Sequence, residues 1–106
     1  MTKYKAVPTI VDNVRFDSKR ESERYQELKL LLRAGTIRNL ELQPSFEIEI
    51  NRVKICRYKA DFRYQDLQGR TVVEDVKGMK SGAAYQMFKL KSKLVEAVHR
   101  IRILEI

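Results

Sequence analysis

Asp75, Val76 and Lys77 form an acid-x-lysine triplet. If the segment is extended, the acid and the amine fall on one face, because successive side chains of a strand alternate. Glu74 and Val76 then take the other face, so alternation selects Asp75 over Glu74 as the partner of Lys77, and only a β-bulge would reverse the choice. A second acid, Asp61, stands in Tyr58-Lys59-Ala60-Asp61-Phe62, and a turn at Asp66 to Gly69 brings it beside Asp75. Two neighbouring carboxylates repel unless a cation lies between them, and hard oxygen donors suit Mg²⁺, with Mn²⁺ as a substitute. A magnesium held by one or two carboxylates keeps positions free for water and a substrate phosphate. The expected chemistry is therefore phosphodiester hydrolysis with water as nucleophile. Lys77 would orient that water and stabilise charge in the transition state.

The charge balance points to the partner. The chain carries 22 Lys and Arg against 14 Asp and Glu, a net charge of +8. Residues 1–50 hold 9 basic and 8 acidic side chains and residues 51–106 hold 13 and 6, so an excess of +7 lies in the half that contains Asp61, Asp75 and Lys77. Such a surface favours a polyanion, because each cation that meets a phosphate releases condensed counterions. A basic surface that serves solubility alone is the alternative. Cys56 is the only cysteine and His99 the only histidine, which excludes an internal disulfide and a zinc cluster. No signal-like or membrane-length apolar run appears, so a soluble, cytoplasmic protein is expected.

The elements that must position these residues fit one domain, residues 1–106, with an arm or hairpin over 1–16 and a core over 17–106. With 43% hydrophobic residues in 106, the chain can form one compact core. Asp12-Asn13 between apolar residues predicts a small hairpin over 9–16. Ser18 with Glu21 three residues on predicts a capped helix over about 18–34, closed at Ala34-Gly35, with Tyr25, Leu28, Leu31 and Leu32 as its apolar stripe. One helical turn before Tyr25 on that face is Glu21; it is either part of the capping box alone or a member of the site. Strands are expected over 45–50, 53–64 and 71–77, with Asn51-Arg52 as a tight turn. A second helix over about 83–98 is expected to bury Met87, Leu90, Leu94 and Ala97, with Gln86, Lys89, Lys93 and Arg100 on another side. Residues 101–106 close the chain as a strand. Helices that connect strands imply an α/β fold with a mixed central sheet.

In this order the residues resemble the PD-(D/E)xK nuclease superfamily, over about residues 16–106. More narrowly, residues 16–21, 40–44, 58–62 and 72–78 look like small phage-encoded endonucleases related to Holliday junction resolvases. The resemblance implies a restriction-endonuclease-like core of helix, three strands, helix and strand. It implies that Asp61 and Asp75 bind the metal with the Val76 backbone carbonyl, that Glu21 is a further ligand or supporting acid, and that Lys77 is the catalytic lysine. Ala60 departs from the pattern, where the superfamily's name has proline. The implied activity is DNA endonuclease cleavage, on branched or recombining phage DNA, by a homodimer if a four-way junction is cut symmetrically. Candidate DNA contacts are Lys19, Gln43, Lys59, Arg63, Lys80, Gln86, Lys89 and Lys93. The rivals are a nicking or site-specific endonuclease acting on duplex DNA, a DNA-binding module without catalysis, and an RNA-processing enzyme.

Overall fold

Asp12 and Asn13 both adopt positive φ, 53° and 62°, and turn the chain between β1 (Thr9–Val11) and β2 (Val14–Phe16). Short polar side chains tolerate this left-handed geometry, which matches the twist of a two-residue hairpin. The computed structural model describes residues 7–78 and 80–106, so the first six residues of the expected arm lie outside the described residues. Helix α1 (Lys19–Arg33) follows, with Ser18 as N-cap, its side chain accepting the Glu21 N–H at 3.2 Å. Of its expected stripe, Tyr25 and Leu28 are buried and Leu31 is half-buried, but Leu32 is exposed. Ser22 is buried instead, its hydroxyl donating back to the Lys19 carbonyl.

Five strands stand between the helices where three were expected: β3 (Arg38–Leu42), β4 (Ser45–Ile50), β5 (Val53–Lys59), β6 (Phe62–Gln65) and β7 (Thr71–Asp75). The expected strand over 53–64 is broken at Ala60-Asp61, and β3 was not foreseen. Both findings have one cause. β3 pairs antiparallel with β6, and β4 with β5, so the segment is a long two-stranded ribbon folded across its middle. The bend lies at Gln43-Pro44 on one side and Ala60-Asp61 on the other. The ribbon stays stitched through it, by Gln43 N–H to Asp61 O at 2.9 Å and Ala60 N–H to Pro44 O at 3.0 Å. Gln43 takes φ 51° there. Side-chain alternation runs unbroken through the bend, since Tyr58, Ala60, Phe62 and Tyr64 are all buried, but the first two enter one core and the last two another.

Helix α2 (Ala83–His99) and β8 (Ile103–Glu105) complete the chain. The four-stranded sheet has the order β3-β6-β7-β8, antiparallel except for the parallel pair β7 and β8, so it is mixed as expected. Phe62, Tyr64 and Val76 pack with Phe16, Tyr25, Leu28 and Ile37 on the α1 side. Val73 packs with Phe46, Ile48, Tyr58, Ala60, Phe88 and Val95 on the α2 side. The buried positions of α2 are Phe88 and Val95, with Tyr85 and Leu94 half-buried. The expected Met87, Leu90 and Ala97 are exposed, because the aromatic ring of Phe88 stacks near Tyr58 and rotates the inward face by about one residue. Arg100, at φ 58°, ends the helix with its N–H on the Glu96 carbonyl. Among the described residues no helix is long and apolar enough to cross a membrane.

The rotated face of α2 gives a direct test. Phe88→Ala is expected to lower the free energy of unfolding by about 3–5 kcal/mol. Leu90→Ala, at a position 54% exposed, should change it by no more than about 0.5 kcal/mol. Urea denaturation of the two variants decides between this face and the one centred on Met87 and Leu90.

Candidate active site

The register of β6 against β7 pairs Phe62 with Glu74, and the Asp61 N–H donates to the Glu74 carbonyl at 3.1 Å. One residue further along, Asp61 therefore stands across from Asp75. Its carboxylate turns inward and accepts the Val76 N–H at 2.7 Å, and it feels the charge of the neighbouring Asp75. Asp75, 4% exposed, is gripped from two more directions. The Tyr58 hydroxyl donates to one oxygen, and the Lys77 ammonium lies 3.3 Å from the other. Lys77 Nζ also sits 4.2 Å from the centroid of the Phe88 ring, where the π face attracts a cation.

Alternation along β7 divides the two adjacent acids. Asp75 faces Asp61 and Lys77, while Glu74 faces α1. There Glu74, 1% exposed, accepts Arg24 Nε at 2.8 Å and Arg24 Nη2 at 2.7 Å, and the Tyr64 hydroxyl as well. This fork holds the Arg24 guanidinium well above its ordinary pKa, hydrogen bonding to Glu74 being the main cause. The phenol of Tyr64 is pushed up to about 12 by burial and by Glu74. Glu74 is thus an anchor between sheet and helix, and Asp75 the acid beside Asp61.

Glu21 lies half-buried in the first turn of α1. Its own N–H donates to the Ser18 hydroxyl oxygen at 3.2 Å in the N-terminal cap, and its carboxyl feels the charge of Asp75. Burial, followed by the charges of Asp17 and Asp75, raises its pKa. Among the described residues no three His, Cys, Asp or Glu side chains converge tightly enough to enclose an ion. Asp61 and Asp75 form the close pair, and Glu21 stands outside it. Burial first, then the charge of Asp75, pushes the Asp61 carboxyl up to about 8.

The candidate DNA contacts spread around this centre. Lys19, Gln43, Lys59, Lys80, Gln86, Lys89 and Lys93 are exposed. Lys59 and Arg63 were expected to flank Asp61 along one strand, but the bend puts Lys59 at the end of β5 and Arg63 in β6. Arg63 is paired with Glu41 at 2.5 Å and stacked on the Phe46 ring. Lys89 lies 3.6 Å from Glu105. His99 bonds to the Glu47 carbonyl at 2.7 Å and packs on Phe46, fixing the end of α2 to the β4–β5 hairpin.

Four residues of the site were missed in the sequence. Tyr58 carries a polar tip into the core, a signal visible only once its alternation with Ala60 places it on the face of Asp75. Phe88 covers Lys77. Arg20 Nη1 donates to the Lys77 carbonyl at 3.0 Å. Glu105, paired with Asp75 in the parallel register of β7 and β8, accepts the Tyr85 hydroxyl at 2.7 Å, which holds its pKa low.

The shift of Asp61 fixes a pH dependence. Between the ordinary 3.8 and about 8 the folded protein keeps a proton that the unfolded chain has released. The stability of the metal-free protein is therefore expected to fall as pH rises through that window and to be indifferent to this group below it. Asp61→Asn keeps an acceptor for the Val76 N–H and removes the titration. Melting temperatures in a chelator across the window should fall for the wild type and flatten for the variant; an equal slope in both would place the effect elsewhere.

No curated protein and no solved structure matches the chain. The family model described as a protein of unknown function (DUF1064) matches residues 1–104, and the chain belongs to the DUF1064 family.

Proposed function

We propose that the chain is a metal-dependent DNA endonuclease of the PD-(D/E)xK kind. The observation that carries this reading is the close approach of the Asp61 and Asp75 carboxyls at the end of β7, with Lys77 on the face of Asp75. Two acids so placed, one sealed and one half-buried, favour a shared proton or a cation between them. The donor set is oxygen throughout, with the Val76 backbone adjoining, which fits Mg²⁺ or Mn²⁺. Bound there, such an ion would polarise the scissile phosphate and lower the pKa of the attacking water.

The protein's own groups supply the rest. Asp61 and Asp75 would hold the ion, each fixed by a contact of its own: the Val76 N–H on Asp61 and the Tyr58 hydroxyl on Asp75. Lys77, held between Asp75 and the Phe88 ring, would supply an ammonium to stabilise charge on the phosphate. Glu21 stands behind as an outer acid. When β3–β4 and β5–β6 are each counted as one bent strand, the order becomes helix, three strands, helix, strand, which supports the restriction-endonuclease-like assignment. Exposed Lys19, Lys59, Lys80, Lys89 and Lys93 offer phosphate contacts on a chain of net charge +8. Branched DNA from a phage recombination setting is the proposed substrate, with cytoplasmic action and a homodimer for symmetric cutting of a junction.

Cleavage assays with Mg²⁺ or Mn²⁺ on a labelled four-way junction, linear duplex, supercoiled plasmid, single strand and RNA counterparts test the proposal. The wild type is expected to cut the junction, and Asp75→Asn to lose at least about 100-fold. Glu74→Gln, which leaves an acceptor for Arg24, should keep substantial activity. No cleavage of any substrate with either metal sinks the enzyme; nicked plasmid without junction cleavage transfers the substrate to duplex DNA. A Glu74 variant weaker than the Asp75 variant would reverse their assignments.

A further inference from the structure

Helix α1 touches the end of β7 through two arginines that bracket Glu21 in the sequence. Arg20 donates to the Lys77 carbonyl at 3.0 Å. Arg24, one turn further along, makes the two-point fork onto Glu74 at 2.8 and 2.7 Å. On the strand, Glu74 and Lys77 in turn bracket Asp75 and Val76. The two cross-links thus frame a small quadrilateral, with Glu21 on its helical side and the Asp75 carboxylate on its strand side. Nothing in helix capping requires this arrangement: the N-cap is made by the Ser18 side chain, which accepts the Glu21 N–H.

We infer that Arg20 and Arg24 are positioning residues, which set the first turns of α1 against β7 so that Glu21 is held behind the Asp61–Asp75 pair as its outer acid. The inference rests on the metal-site reading given above. A guanidinium suits the task because its planar fork fixes direction as well as distance against a carboxylate. Glu74 is a fitting anchor because Tyr64 bonds to the same carboxylate and because it is 1% exposed, so its oxygens cannot rotate away to water. Arg20 adds control at the other end. Its bond is to main chain, at Lys77 itself, so a shift of α1 would be felt by the lysine as well as by Glu21. Arg24 also reaches Glu27 at 3.1 Å on its own helix, which stiffens its approach.

A merely structural brace and a positioning brace differ in how they couple to Glu21. Two variants are suited to the test. Arg20→Ala removes an exposed side chain and its bond to the Lys77 carbonyl, and Arg24→Lys keeps the charge beside Glu74 but loses the fork. Each is made alone and with Glu21→Gln, and Mn²⁺ affinity is measured by calorimetry, with folding checked by thermal unfolding. Each arginine substitution is expected to weaken Mn²⁺ binding roughly tenfold, the scale of lost support around a metal ligand. In the Glu21→Gln background the same substitutions should change it by less than about twofold, because the residue they position is gone. Losses that add independently of Glu21 overturn the inference.

Amide hydrogen exchange of the chelated protein separates this claim from the one beneath it. Exchange over residues 18–24 should quicken in both arginine variants while residues 83–99 stay as in the wild type; no change over 18–24 overturns the brace whatever the metal does. A wild type that binds no Mn²⁺, although exchange responds to the arginines, overturns the metal site and with it the role of the brace.

Discussion

The Val76 N–H that reaches the Asp61 carboxylate at 2.7 Å is the contact on which the site depends. It ties the bend of the ribbon to the last residues of β7. Without it Asp61 would belong to a turn, free to point into solvent. With it, the carboxyl is drawn beside Asp75, where its charge is opposed by burial and by its neighbour. The bend is itself secured by the paired backbone bonds at Gln43–Asp61 and Pro44–Ala60, so the same crossing carries β4 and β5 over to pack against α2 and delivers the acid. Ala60, 1% exposed, leaves little room for a larger side chain at the crossing.

Consecutive residues of β7 show how one strand serves two purposes. Glu74 and Asp75 are both almost fully buried carboxylates, and by composition they are interchangeable. Their surroundings make them different. Glu74 meets a guanidinium fork and a phenol, which satisfy its oxygens completely; a buried ion pair of this quality fixes how helix and sheet meet more than it adds net stability. Asp75 meets one phenol, one ammonium and another carboxyl. The last of these is unfavourable in the absence of a proton or a cation, and burial together with a like charge marks the pair as a candidate functional site.

Much of this was legible in the sequence, and the parts that were not share a cause. The hairpin at Asp12-Asn13, both helices, the turn at Asn51-Arg52 and the grouping of Asp75 with Lys77 are set by local periodicity and turn chemistry. The division of the 53–64 segment was hidden because the alternation of Tyr58, Ala60, Phe62 and Tyr64 continues through the bend; a pattern of period two records which side is buried but not against which core. The strand at 38–42 was missed because Arg38, Asn39 and Glu41 alternate with only two apolar residues at an edge, where burial is slight. On α2 the apolar residues Met87, Leu90 and Leu94 define a helical stripe as good as the one that packs, and tertiary contact with Tyr58 and Val73 chose Phe88 and Val95. At the site, Asp61, Asp75, Lys77 and Glu21 were within reach of sequence reasoning, since acids and a lysine announce themselves. Tyr58 and the two arginines of α1 were not, because their importance lies in contacts between residues far apart in the chain.

These placements also explain why the polar centre can exist in so small a protein. A chain of 106 residues has little apolar surface with which to offset buried charge. The site therefore sits at the edge of both cores, where the strands end and α1 begins. Asp61 and Glu21 remain partly accessible there, and only Asp75 is sealed. A main-chain donor, the Val76 N–H, meets the carboxylate of Asp61, so no donor side chain has to be ordered there. The hydroxyls of Tyr58 and Tyr64 bring donors in from the two opposing cores, each on a ring that is itself core material. The apolar interior and the acidic site are thus built from the same residues, and moving Tyr58 or Tyr64 would disturb the packing of a core together with the acid that its hydroxyl holds.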